Sequence, residues 1–216
     1  MSLAEQLVAV TAGFKDKAPE AIRVPIVKAK LDFEKYFDLK STIQVGDRIP
    51  DFRLTNAVGE EVSSADLRAH GPLLITFYRG SWCPYCNLAL GSLQKHLTKF
   101  QEQGVALVAI TPELPDYSLS LAEKHDLKFP VLTDRGNDYA KQLGLIFQMP
   151  DALRPAFEKF GHDLVEHNGD DSFSVPVPAT LLVDKGGVVR NAFIDADYSK
   201  RLEPTVALEW IEKLDN

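Results

Sequence analysis

Four short apolar runs, at residues 73–78, 105–110, 129–132 and 180–183, are each of strand length and rich in β-branched or aromatic residues. Stretches with helical apolar spacing separate them. A chain that alternates in this way buries its strands side by side in one sheet and covers both faces with helices, which predicts a three-layer α/β/α domain. Lys185-Gly186-Gly187 then turns the chain into residues 188–194, an antiparallel hairpin partner that makes the central sheet mixed. Earlier, Val58-Gly59-Glu60-Glu61-Val62 reads as the turn between two short strands. A last helix over residues 204–214 offers Val206, Leu208, Trp210, Ile211 and Leu214 for burial.

Two segments fall outside this alternation. Residues 4–40 carry helix-like spacing interrupted by Pro19 and Pro25, so a helical extension over residues 1–44 precedes a domain over residues 45–216. Residues 144–177 are the least regular. They hold one helix near 151–160 and a polar loop, His167-Asn168-Gly169-Asp170-Asp171, and read as an insertion beside the site that sets substrate preference. With 216 residues, one core with appended helices is the economical organisation.

Hydrophobic residues make up 45% of the chain and charged residues 25%, the balance of a globular domain. No apolar run approaches the ~20 residues of a membrane span. The net charge of -7 and the lack of clustered Lys and Arg argue against a nucleic-acid partner. The N-terminus shows no basic start followed by an apolar stretch, so a cytoplasmic setting is expected. Only two cysteines occur, too few for a structural disulfide framework.

Those two cysteines lie in Trp82-Cys83-Pro84-Tyr85-Cys86, directly after the first apolar run and Arg79-Gly80-Ser81. Pro84 suits the first position of a helix, because it has no N–H to leave unpaired. Cys83 is then the N-cap, where free N–H groups and the helix dipole favour a thiolate. Cys86 starts the buried stripe continued by Leu90, Leu93, Leu97 and Phe100. Helix geometry therefore predicts an exposed, acidic Cys83 that attacks and a shielded Cys86 that resolves. Zinc held by the pair with His162 and His167 is the competing use; the long separation and the strand–helix setting disfavour it. An inert buried pair is the other alternative. No metal or cofactor is expected.

Trp-Cys-Pro-Tyr-Cys resembles the active-site segments of thioredoxins and glutaredoxins. The rest of the chain is similar to the alkyl hydroperoxide reductase and thiol-specific antioxidant family, and to its peroxiredoxin-like branch with a C-x-x-C. The resemblance rests on Gly46-Asp47-Arg48-Ile49-Pro50-Asp51-Phe52, on residues 76–86, on Ile110-Thr111-Pro112-Glu113, on Val131-Leu132-Thr133-Asp134, on residues 178–184 and on Asp197-Tyr198-Ser199-Lys200-Arg201. It implies a thioredoxin-like fold with an insertion before a strand that starts at a cis proline, Pro178. It also implies an antioxidant oxidoreductase with a redox-active disulfide. Set against peroxiredoxins, the peroxidatic position falls on Cys86, their usual threonine is replaced by Cys83 and their usual proline by Arg79. Pro178 stands where they carry an arginine, so the peroxide-activating set is incomplete.

Arg79 is read as a guanidinium that favours a thiolate at either sulfur, or as half of a surface ion pair. Trp82 and Tyr85 form an apolar apron for substrate or pack on the helix start. Glu113 and Arg201 belong to segments that carry the resemblance and reach the site from neighbouring loops, or are solvated. The five histidines show no catalytic spacing and are expected at the surface. The pair is thus predicted to cycle between dithiol and disulfide, reducing a hydroperoxide or, alternatively, a protein disulfide, with an external thiol of the thioredoxin or glutathione kind as reductant. A thioredoxin-fold binding module or redox switch is the rival from outside enzymes, and a homodimer is plausible.

Overall fold

The computed structural model describes residues 1–214. Helices α1 (Leu3–Lys17) and α2 (Glu20–Tyr36) come first. A capping box opens α1: the Ser2 hydroxyl accepts from the N–H of Glu5, whose carboxylate accepts from the N–H of Ser2. Pro19 sits at the start of α2, whereas Pro25 lies inside that helix and does not break it. The main body follows as β1 (Arg53–Asn56), β2 (Glu61–Ser63), α3 (Ser64–Ala69), β3 (Leu73–Phe77), α4 (Pro84–Glu102), β4 (Ala106–Thr111), α5 (Pro115–Lys124) and β5 (Val131–Thr133). Next come α6 (Asp138–Gln142), β6 (Ile146–Gln148), α7 (Arg154–Lys159), α8 (Leu164–Asn168) and β7 (Ser174–Pro176), and the chain closes with β8 (Ala179–Val183), β9 (Val189–Ile194) and α9 (Pro204–Glu212).

Seven strands form one sheet in the order β2-β1-β5-β4-β3-β8-β9. β3, β4 and β5 are parallel and the flanking strands antiparallel, so the sheet is mixed and the fold is the thioredoxin-like α/β sandwich. Side chains alternate across it. Leu74 of β3 faces α4, where Leu90, Leu93, Leu97 and Phe100 form the stripe the sequence predicts; Leu3 and Leu7 of α1 and Ile211 of α9 close this layer. Leu73, Ile75 and Phe77 point the other way, onto Tyr139 and Ala140 of α6 and onto Leu143 and Phe52. Each such side chain, fully buried, contributes roughly 1.5–3 kcal/mol.

The insertion makes a core of its own. β6 and β7 pair as a separate two-stranded sheet, and Phe147, Met149, Leu153, Phe157 and Val175 pack together with Ala29 of α2. Phe33 of α2 packs on Phe147 in a tilted pair with ring centroids 4.2 Å apart. The expectation of a cis proline is corrected by the backbone itself. Among the described residues no peptide bond is cis, Val177–Pro178 included. β7 is held in extended register by β6, and the N–H of Val177 donates to the Leu145 carbonyl at 3.0 Å. The N–H of Val177, the residue ahead of Pro178, is therefore already partnered within the chain.

Candidate active site

β3 stops at Phe77 and α4 starts at Pro84, with Cys83 as its N-cap. Between them the chain turns through Gly80, at φ +149°, where an added Cβ would come within 2.3 Å of Trp82 Nε1 and 2.9 Å of Glu113 Oε1. Only glycine fits there. Cys83 and Cys86 are both buried, at 1% and 0% exposure, so the exposed Cys83 of the sequence reading is corrected. Cys83 lies in one buried cluster with Leu3 and Leu7 of α1 and Tyr85 of α4, and the Thr11 and Tyr85 hydroxyls are hydrogen-bonded at 3.1 Å.

The predicted acidity is reversed as well. No N–H of α4 donates to Cys83 Sγ. Burial pushes the Cys83 thiol well above its usual range, and its hydrogen bond to Cys86 keeps the proton in place. Burial also opposes a thiolate at Cys86. There, however, the Cys83 hydrogen bond, the Arg201 and Arg79 guanidinium groups and the Arg79 backbone N–H together outweigh it and bring the Cys86 thiol down to about 5. Arg201 Nη2 donates to Cys86 Sγ at 3.2 Å.

Arg201 is aimed by its own turn, because Nη1 donates to the carbonyls of Tyr198 and Lys200. Asp197 shapes that turn by accepting from Ser199 N–H at 2.9 Å, and Lys30 of α2 reaches Asp197 Oδ1 at 2.9 Å. Arg79 is buried, not a surface ion pair. Its guanidinium is sandwiched between the Trp82 ring, 4.7 Å away, and the Tyr198 ring, 4.2 Å away, and its Nε has no hydrogen-bond partner. Trp82 packs edge-on against Phe157 of the insertion at 5.1 Å.

Glu113 and His167 form a pair that sequence reasoning did not find. Glu113 is fully buried and accepts from Ser81 N–H at 2.6 Å and Ser81 Oγ at 2.8 Å. His167 Nδ1 lies 2.8 Å from the same carboxylate, and its ring stacks on Tyr117 at 4.0 Å. Neither residue is solvated, and His167 of α8 is not the surface histidine expected. His162 is half-buried beside Trp82, and burial lowers its imidazole pKa, with His167 adding to the effect. In front of Cys83 lies a cavity of about 360 Å³ whose lining includes Arg79, Trp82, Cys83, Tyr85 and His162 but not Cys86. Pro178 is not part of that lining.

A charged sulfur paired with a protonated one, at the strand–helix junction of a thioredoxin-like sheet, defines a thiol oxidoreductase. The AhpC/TSA family model matches residues 45–192, and the chain belongs to that family. Among curated relatives, the thiol-disulfide oxidoreductase ResA of Bacillus cereus is 23% identical over 84% of this chain and 85% of its own length. Among solved structures, peroxidoxin BcpB from Mycobacterium tuberculosis superposes with a TM-score of 0.62 at 19% identity, covering 80% of this chain and 98% of that one. The reduced 2-Cys peroxiredoxin of Plasmodium vivax gives 0.62 at 17% identity, covering 80% and 82%. These structural likenesses concern the fold. No helix among the described residues is long and apolar enough to cross a membrane.

Proposed function

We propose that the protein is a peroxiredoxin-like thiol peroxidase in which Cys86 attacks and Cys83 resolves. The observation that carries this reading is the set of donors on Cys86 Sγ: Arg201 at 3.2 Å, the Arg79 N–H and the Cys83 S–H. The incomplete peroxide-activating set is thereby completed from elsewhere. Cys83 supplies a donor where the family places a threonine, and Arg201 supplies the cation that Pro178 does not. The Cys86 thiolate attacks the terminal oxygen of a hydroperoxide, the O–O bond breaks, and the departing alkoxide takes the Cys83 proton to leave as an alcohol. Cys83, now a thiolate, attacks the Cys86 sulfenic sulfur and expels hydroxide, closing the disulfide. An external thiol of the thioredoxin or glutathione system restores the dithiol, in a reducing cytoplasm.

Mass spectrometry of single variants after one equivalent of peroxide tests the roles. Cys83→Ser, which keeps a hydrogen-bond donor, should carry a sulfenic adduct on Cys86, and Cys86→Ser should stay unmodified; the opposite pattern reassigns both residues. A second reading, protein disulfide exchange, is favoured by the relation to ResA. The partnered N–H of Val177 weighs against it, since that group is not free to bond a substrate strand. With dithiothreitol as donor, turnover of hydroperoxide but not of insulin supports the peroxidase, the reverse supports the exchange enzyme, and turnover of neither supports a binding module.

A further inference from the structure

The cavity beside Cys83 has a wall that lies outside the family match. That match begins at residue 45, yet Val10 and Phe14 of α1 and Ile26 of α2 line the cavity. All three are only half-buried by the protein, so apolar surface is left facing the space between them and the sulfur. Phe157 of α7 and Phe160, both from the insertion, line it too. The polar groups of the lining include Cys83, His162 and the buried Arg79, whose Nε has no hydrogen-bond partner.

The size of this space decides what it can serve. At about 360 Å³ it falls within the ~300–1,000 Å³ range of small-molecule sites. Hydrogen peroxide, not much larger than a water molecule with its share of about 30 Å³ of liquid, would leave most of it unfilled. Held water gains little against aromatic and aliphatic walls, so an apolar group that displaces it binds favourably. Cys83 and Arg79, which line the cavity, also donate to Cys86, as Arg201 does from outside it. An occupant with an apolar body and one polar, reducible end matches this arrangement.

We infer that α1 and α2 are a specificity element: Val10, Phe14 and Ile26 hold the bulky alkyl or aryl group of an organic hydroperoxide while its peroxy end points to Arg79 and Cys83, the residue hydrogen-bonded to Cys86. This rests on the peroxidase reading above and adds to it the residues that choose the substrate. Contact with the organic group lowers KM for such substrates and does nothing for hydrogen peroxide, so selectivity appears in the ratio of kcat/KM values.

The test is steady-state reduction of cumene hydroperoxide and of hydrogen peroxide by the full chain, with dithiothreitol as reductant. The kcat/KM ratio is independent of the fraction of active protein, so partial misfolding of a variant does not disturb it. Wild type should prefer cumene hydroperoxide by more than about tenfold, and Phe14→Ala and Ile26→Ala should each erode that preference, Phe14→Ala by about tenfold, which is about 1.4 kcal/mol. Val24→Ala, exposed on α2 and away from the cavity, should leave the ratio where it was. Turnover of both peroxides at similar kcat/KM, or a preference that survives both wall substitutions, overturns the inference while the peroxidase reading stands. Failure to turn over either peroxide, by protein whose two thiols titrate freely in urea, overturns the peroxidase reading and the inference with it.

Discussion

Cys86 owes its charge to groups brought from separate parts of the chain: its neighbour Cys83, the end of β3 at Arg79, and Arg201, 115 residues away. Thiolate absorbance near 240 nm should therefore rise with a midpoint at about 5 in the reduced protein. Arg201→Met removes one cation and should move that midpoint up by roughly 1–3 units; no movement would show that Arg201 does not support the thiolate. The same shift has a consequence for folding. A Cys86 pKa of about 5 lies below the ~8.5 of an unfolded thiol, so the thiolate stabilises the fold fully above that unfolded value, and the contribution is lost as pH falls through about 5. Cys83, raised by burial, acts in the opposite sense and costs stability above the unfolded thiol value. Between about pH 5 and 8, the Tm of the reduced protein should climb relative to that of Cys86→Ser, and a constant difference would refute the linkage.

Among the elements, those that depend on local periodicity were legible in the sequence and those that depend on distant contacts were not. β3, β4 and β8 follow from compact apolar runs, and the inner face of α4 from Leu90, Leu93, Leu97 and Phe100. Cys83 and Pro84 at the start of α4 follow from helix-capping chemistry. Cys83 is buried in a cluster that includes Leu3 and Leu7 of α1, and β6 pairs with β7 just ahead of Pro178; no periodic signal announces either contact. Glu113 and His167 meet across 54 residues, and the only hint was that Glu113 belongs to a segment carrying the family resemblance. Their pairing ties α8 to the loop that carries Ser81. Glu113→Gln keeps the shape but weakens these hydrogen bonds, and should cost roughly 1–3 kcal/mol in urea unfolding. His167→Ala should cost less, and a double-mutant cycle should show coupling between the two, where additive losses would mean the contact carries no energy.

At the scale of the whole molecule, the extension and the C-terminal turn brace each other around the sulfur. The N–H of Ala4 donates to Glu203 at 2.7 Å, Lys30 reaches Asp197, and the turn so held presents Arg201 to Cys86. Lys30→Met should therefore raise the Cys86 titration midpoint even though Lys30 does not touch the sulfur, and an unchanged midpoint would confine the bracing to stability. The donors on Cys86 also favour the dithiol form over the disulfide, because only the reduced pair has a thiolate for them to hold. At pH 7 a thiol titrating at about 5 favours reduction by on the order of 3 kcal/mol, or about 60 mV of two-electron potential. Equilibration with glutathione buffers should place the couple that far above an unperturbed dithiol, with Arg201→Met drawing it back. The Arg201 guanidinium thus bears on an electrical property of the molecule: it tilts the Cys83–Cys86 couple toward the dithiol.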